Sequence, residues 1–334
     1  MAVKTPGLWW RIKMLSRVAE RIYWLGRYME RSENTARLVN VNSNLLLDLP
    51  SGVRVGWGSL IDISGTRSYY ERDTQQADEK TVVNFILADK NNPASLINSL
   101  SFARENSRIT REIMPMEAWE LVNDLYHFIR DRVDKVTSRR DRATILLHVI
   151  SNVQQFTGLL AGCMSHNNAY DLIRIGRNLE RADMSTRIVD VGLVNLLPHL
   201  SIGGTEVLEP YDNILWMSVL RSLSGYQMYR QQARDRVNAN AVVKFLLQSE
   251  DFPRAVAHCL KQLELCLWGL PNSENVLACI VSLQQKIELA NLDELLQQGL
   301  HEYIDEIQLE IGNLHFRIAE TWFLPQVMAP VSAA

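Results

Sequence analysis

The same charged helix pattern occurs twice in this chain, 150 residues apart. Residues 25–39 read LGRYMERSENTARLV, and residues 175–189 read IGRNLERADMSTRIV. A second match follows at an offset of 160, between residues 82–100 and 242–260; both copies begin VV-x-F and carry a proline eleven residues after the first valine. Two matches in the same order predict a tandem duplication, in which each repeat is one folding unit.

The apolar spacing along the chain is helical, with few of the alternating runs that are typical of strands. We therefore predict an all-α fold, a helical bundle formed by a tandem duplication with pseudo-two-fold symmetry. The expected divisions are a first helical repeat over residues 14–165 and a second over residues 166–334. The two repeats are expected to form one compact unit.

Proline, glycine and capping residues predict where the helices begin and end. A loop is expected over residues 65–80, and two helices are expected to begin at Asn92-Pro93 and at Pro115. The other predicted helices cover residues 16–49, 58–64, 81–88, 140–165, 168–197, 211–236, 239–248, 253–267, 274–290 and 292–323.

Charge and hydropathy exclude several classes of partner. The net charge of −3 argues against non-specific nucleic-acid binding, which needs a strong cationic surplus. No segment has the length and composition of a signal peptide or of a membrane-spanning helix. We therefore expect a cytoplasmic protein with no nucleic-acid partner and no membrane partner.

The charges of the repeated helix form a stripe that is flanked by apolar residues on both sides. In the first copy, Tyr23, Leu38 and Val41 share the azimuth of the charged residues on the helical wheel. Such a helix is expected to be buried around most of its girth, and its charges must then be paired or face a ligand. The candidate residues are Glu30, Glu180, Arg27, Arg31, Arg37, Arg177, Arg181 and Arg187.

Two interpretations of this stripe compete. In the first, Glu30 and Glu180 are buried counter-ions, each bridging arginines of its own helix and of a neighbouring helix, and the network only fixes helix packing. In the second, the cluster lines a cleft for a carboxylate- or amine-bearing substrate, the arginines bind it, and Glu30 or Glu180 serves as a general base. A solvent-connected cavity would favour the second interpretation, and a dry, paired network would favour the first.

One further group of arginines occurs in the first repeat alone. Arg104, Arg108 and Arg111 are predicted to share one face of a helix, and they are additional candidates for substrate binding. Acidic residues of an adjacent helix, with Glu117 and Glu120 as candidates, are the expected partners if no anionic ligand binds there.

Motifs for nucleotide binding and for nucleophilic hydrolysis are absent from the sequence. The carboxylates also lack the Glu-x-x-His spacing of di-metal bundles. We therefore predict no metal site and no cofactor held by this chain.

The chain resembles the bacterial Alpha-E family, which is named for its helical content and its Glu-Arg motif. The segments that carry the resemblance begin at residues 14, 103, 117, 172 and 314, and read MLSRVAERIYWLGRYMERSENTARLV, ARENSR, EAWELVN, LIRIGRNLERADMSTRIVD and LHFRI. They extend over nearly the whole chain. Residues 1–13 precede the usual start of the family, so that the resemblance implies an N-terminal extension there.

The resemblance implies an association with circularly permuted ATP-grasp proteins, which are encoded beside members of this family or fused to them. Transglutaminase-like and proteasome-related peptidase systems are further companions that it implies. ATP-grasp enzymes join a carboxylate to an amine through an acyl phosphate. ATP and Mg²⁺ would then belong to the partner, and this chain would be a helical component of an amide or peptide ligation system. The alternative is a non-catalytic scaffold that docks partners.

Overall fold

The computed structural model describes residues 16–48, 56–70, 77–196, 212–233 and 236–324 of the chain, and this part is all-helical, as predicted. Its α-helices are α1 (Ser16–Asp48), α2 (Gly58–Ile63), α3 (Arg67–Tyr70), α4 (Glu79–Leu87), α5 (Leu96–Ile109), α6 (Met116–Arg130), α7 (Arg139–Cys163), α8 (Asn168–Leu196), α9 (Asp212–Ser222), α10 (Tyr226–Gln232), α11 (Ala239–Gln248), α12 (Val256–Leu267), α13 (Glu274–Glu288), α14 (Leu292–Gln297) and α15 (Leu300–Trp322).

Helices α1 and α8 form the centre of the bundle and run side by side in the same direction. Gly26 lies against the backbone of both Ile173 and Arg177, and Gly176 lies against that of both Tyr23 and Arg27, so that residue n of α1 lies close to residue n + 150 of α8. Both helices are buried around most of their girth, as the apolar flanks of their charges predicted.

The remaining helices pack around this pair in two similar sets. Helices α5 and α7 pack on α1, and α12 and α15 pack on α8. Helix α2 follows α1 in the chain but packs on α8, whereas α9 follows α8 and contacts both central helices. The two sets correspond in chain order, which is what a duplicated unit would give; the duplication itself stays a prediction, as does the division into repeats.

Side-chain caps explain where several of the outer helices begin. The carboxylate of Asp78 accepts a hydrogen bond from the Thr81 amide and caps α4, and the side chain of Asn238 accepts one from the Ala241 amide and caps α11. These caps lie 160 residues apart, at the offset of the second sequence match. Each satisfies an amide that the first turn of a helix leaves without a partner.

Five predicted boundaries were wrong by more than two residues. The helix predicted over 253–267 begins at Val256, with Ala255 as its N-cap. The predicted loop over 65–80 contains α3 and the start of α4. The helix expected to begin at Asn92-Pro93 begins at Leu96, because Ser95 is its N-cap. The helix predicted over 211–236 is broken after α9, where Ser224 adopts a positive φ of 55°. Gly299, with a φ of 96°, separates α14 from α15 within the helix predicted over 292–323.

The predicted extension over residues 1–13 lies outside the described residues. Among the helices of the described ranges, none combines the length and the apolar character that a bilayer crossing requires.

Candidate functional site

The two motif glutamates are bound by arginines of the opposite central helix. Arg31 of α1 donates from Nε and Nη2 to the two carboxylate oxygens of Glu180, at 2.6 and 3.0 Å. Arg181 of α8 makes the equivalent fork to Glu30, at 2.9 and 2.7 Å. The Glu-Arg dipeptide of each helix therefore pairs with the Glu-Arg dipeptide of the other, and bidentate pairs of this kind are the strong form of an ion pair.

The glycine of each motif sets the distance between the two helices. A Cβ atom added to Gly26 would lie closer than 3.0 Å to the carbonyl oxygen of Ile173, and one added to Gly176 would meet the carbonyl oxygen of Tyr23 in the same way. The backbones can approach this closely only without side chains at both positions. Because the glutamate follows the glycine by four residues, about one helical turn, it is carried to the same interface.

Each glutamate has a second arginine, and here the two copies differ. Arg27 donates from Nε to Glu180 at 2.6 Å. Its counterpart Arg177 makes no such bond to Glu30, whose second arginine is Arg254, with an Nη1 to Oε1 distance of 2.8 Å. Arg254 also donates to Asn34 and to Glu33.

Arg254 was missed by sequence reasoning. It lies in the turn before α12, more than 200 residues from Glu30 in the chain, and the corresponding residue of the first repeat is Ala94. The one signal that could have found it is this difference within the second sequence match, because arginine replaces a small residue directly after the repeated proline.

The neighbouring arginines keep both glutamates ionised in spite of their burial. Glu30 and Glu180 are 1% and 2% exposed. Burial by itself would raise the pKa of Glu180, but Arg31 and Arg27 outweigh it and lower the pKa from 4.5 to about 2. Arg181 and Arg254 do the same for Glu30, whose pKa is also about 2. Carboxylates of this kind hold positive charge in place and are weak proton acceptors at neutral pH.

The other arginines of the predicted stripe have separate partners. Arg37 donates to Glu33, one turn before it on α1, with an Nη2 to Oε1 distance of 2.7 Å. Arg187 pairs with Asp183 at the equivalent position of α8, at 3.1 Å. These two pairs lie within single helices, so that they extend the charged stripe without joining α1 to α8.

Arg177 is the exception in the network. Its Nε atom is buried, and among the described residues it has no hydrogen-bond partner. Burial, followed by the neighbouring Arg181, lowers the pKa of its guanidinium, and Glu30 only partly opposes this effect.

The cationic stripe predicted on α5 is only partly formed. Arg104 donates to the side chain of Asn123 at 2.8 Å and lies over the rings of Trp119 and Tyr126. Arg108 is exposed and pairs with Glu105 of its own helix. The prediction that Arg111 shares their helix face was wrong, because α5 ends at Ile109 and Arg111 begins a 3₁₀ turn.

The acidic partners expected for this stripe do not bind it. Arg104 bonds to Asn123 of α6, whereas Glu117 and Glu120 are exposed and make no ion pair with the three arginines within the described part of the chain. None of the three arginines bonds to Glu30 or Glu180, so that the structure does not bring them into the Glu-Arg network.

One group in the described ranges has the residue types for a metal ion. Asp190, His301 and Asp305 place one ligand atom each within 4.8 Å of one another. His301 is already bonded through Nδ1 to Asp190 at 2.5 Å, and the carboxylate raises the pKa of this imidazole. The group therefore links α8 to the first turn of α15, and the sequence patterns did not predict it.

The curated relatives of this chain are longer than the chain itself. Uncharacterized proteins of Mycobacterium bovis and of two strains of Mycobacterium tuberculosis are each 22% identical to it over 289 residues. The match covers 81% of this chain and 31% of each relative, so that the chain spans about a third of the length of the relatives it matches. No solved structure matches the chain.

A family model matches residues 14–323, and its description is an alpha-helical domain with a conserved ER motif. The match includes both central helices, and the paired dipeptides Glu30-Arg31 and Glu180-Arg181 are two Glu-Arg motifs within it. The chain therefore belongs to the Alpha-E family.

Proposed function

We propose that this chain is a non-catalytic helical component of an ATP-grasp-linked amide or peptide ligation system. The observation that carries the proposal is the cross-pairing of Glu30 and Glu180 with arginines of the opposite helix. Side chains paired in this way hold the two central helices together. The chemistry of ligation would then belong to the ATP-grasp partner. The outer helices would provide the surface on which this partner docks.

The length of the relatives supports a role beside a larger partner. About two thirds of each relative lies outside the part that matches this chain, which leaves room there for further domains. An ATP-grasp partner that is fused to the helical domain in the relatives and separate from it here would fit the association implied by the family resemblance.

A second candidate function is the substrate cleft in which Glu30 or Glu180 acts as a general base. The low pKa of both carboxylates disfavours the base, because a catalytic base is most effective with a pKa near the working pH. The excess of arginine around them favours one part of this candidate, the binding of a carboxylate.

Reconstitution with a circularly permuted ATP-grasp protein from the same organism tests the proposal. We expect a stable complex, and amide formation from ATP, an amino acid and an amine only when both proteins are present. E30Q and E180Q should support full amide formation at temperatures well below their own unfolding midpoints, since the proposal gives these carboxylates no chemical step.

Two results would contradict this account. Amide formation by the ATP-grasp protein alone, unaffected by this chain, would remove the ligation role. Loss of amide formation in a folded, partner-bound E30Q or E180Q protein would restore the general base. The exposed ion pair between Glu105 and Arg108 offers a control variant, E105Q, in which we expect neither folding nor amide formation to change.

A further inference from the structure

We propose that Arg177 is the binding residue of an anion site in this chain, and that the ligand is a small molecule bearing a carboxylate group. The proposal concerns ligand binding alone, so it stands whether or not the chain belongs to a ligation system. It rests on three observations: the unpartnered guanidinium, the charge balance around it, and the way its neighbours bind carboxylates.

The first observation is the state of the guanidinium itself. Arg177 makes no ion pair and no side-chain hydrogen bond with any residue in the part of the chain that the structure describes, and its Nε atom is buried. Its two terminal nitrogens also have no hydrogen-bond partner in that part of the chain, but they are not fully buried, so that solvent reaches them. Because arginine stays protonated, the group keeps its positive charge and its unsatisfied donors.

The second observation is the comparison with the equivalent residue of the first copy. Arg27 occupies the same position of the motif, and its Nε binds Glu180. In the second copy, the further arginine on Glu30 is Arg254, which binds the oxygen that also accepts from Nε of Arg181. Arg177 is therefore largely buried without a bonded counter-ion, and Glu30 compensates only part of its desolvation.

The network as a whole carries more positive than negative charge. Three glutamates face six arginines, and the further pair Asp183–Arg187 is neutral. The glutamates are Glu30, Glu33 and Glu180, and the arginines are Arg27, Arg31, Arg37, Arg177, Arg181 and Arg254. A largely buried cluster with this excess is expected to attract an anion.

The third observation indicates which anion. Arg31 and Arg181 both use the edge formed by Nε and Nη2 to hold a carboxylate by two parallel bonds. In Arg177, Nε has no hydrogen-bond partner among the described residues, and solvent reaches the two terminal nitrogens. A planar carboxylate matches a pair of guanidinium nitrogens, and we expect it to bind through the terminal pair. Cys259 and Cys266 of α12 lie close to Arg177 and offer no competing charge, because burial raises the pKa of both thiols to about 12.

Matched substitutions separate a binding role from a structural one. We expect R177Q to unfold at the same temperature as the parent protein or at a higher one, since the variant removes an unpaired, largely buried charge. R27Q, at the equivalent position of the first copy, should unfold at a clearly lower temperature because it removes a partner of Glu180. A drop for R177Q as large as that for R27Q, or a failure to fold, would make Arg177 structural and overturn the proposal.

Ligand binding is tested by thermal unfolding in sodium acetate and in L-glutamate against sodium chloride at equal ionic strength. A ligand that binds only the folded state raises the unfolding midpoint. In the parent protein we expect the carboxylates to cause an additional rise in the unfolding midpoint. This rise should be lost in R177Q and kept in R130Q, which changes an exposed arginine at the end of α6.

The Nε–Hε resonance of Arg177, assigned by its absence in R177Q, gives a direct reading of the site. Acetate should shift this signal in a saturable way. The proposal is overturned if the rise in midpoint persists in R177Q, if the signal does not respond to acetate, or if chloride and inorganic phosphate act as strongly as the carboxylates, which would indicate an adventitious ion only.

Discussion

Replacing Glu180 by glutamine is expected to lower the free energy of unfolding by about 3–5 kcal/mol, the usual cost of removing one partner from a buried ion pair. The variant leaves Arg27 and Arg31 facing a neutral amide. The side chain of Arg27 is 10% exposed and that of Arg31 is 20% exposed, so that solvent compensates only part of the lost charge. Urea unfolding followed by circular dichroism measures the difference.

An exposed ion pair provides the control for this substitution. Glu105 and Arg108 are each about half exposed and lie one turn apart on α5. E105Q should change the free energy of unfolding by less than about 1 kcal/mol, because solvent screens such pairs. Equal effects of E180Q and E105Q would mean that the cross-helix pairs do not hold α1 against α8.

Adding a single methyl group at Gly176 is expected to destabilise the protein by about 1–3 kcal/mol or more. The new Cβ of G176A would lie closer than 3.0 Å to the carbonyl oxygen of Tyr23. Since that obstacle is backbone, it can move only if the two central helices separate, which would also lengthen the bonds between the Glu-Arg dipeptides. Thermal unfolding of the variant gives the cost.

A helical glycine elsewhere should respond in the opposite direction. A Cβ added to Gly158 of α7 would meet nothing within 4 Å. G158A should therefore raise the free energy of unfolding by about 0.5–1 kcal/mol, the ordinary gain from replacing a glycine within a helix by alanine. Destabilisation of G176A and G158A by the same amount would contradict the close contact between α1 and α8.

The sequence predicted the central helices well because their pattern is periodic and repeated. Apolar residues on both sides of the charges indicated burial, and burial indicated that Glu30 and Glu180 must be paired or face a ligand. Which arginines pair with which glutamates could not be read from either helix alone. The register depends on Gly26 and Gly176, whose role becomes apparent only when the two backbones are side by side.

The features that escaped prediction depend on single residues rather than on a period. Arg254 enters the network from a turn, where no helical spacing relates it to Glu30. Ser224 and Gly299 break predicted helices through a positive φ that apolar spacing does not reveal. Arg111 leaves the predicted stripe because α5 ends two residues before it.

The central claim is that Glu30 and Glu180 are ionised counter-ions between α1 and α8. A carboxylate whose pKa is about 2 in the folded protein and near 4.5 in the unfolded chain binds protons more weakly when folded. Its stabilising effect is therefore fully present above about pH 4.5 and is lost as the pH falls towards 2. If one of these carboxyl groups were a general base with a raised pKa, its contribution to the free energy of unfolding would instead be lost as the pH rises above 4.5.

The most direct test is the free energy of unfolding of the parent protein and of E180Q, measured by urea titration from pH 7 to pH 3. Our account predicts a constant difference between the two proteins from pH 7 to about pH 5, which then shrinks as the pH is lowered further. A difference that instead shrinks as the pH rises above 4.5 would show a carboxyl group that is protonated in the folded state, and would contradict the structural role of the Glu-Arg motif.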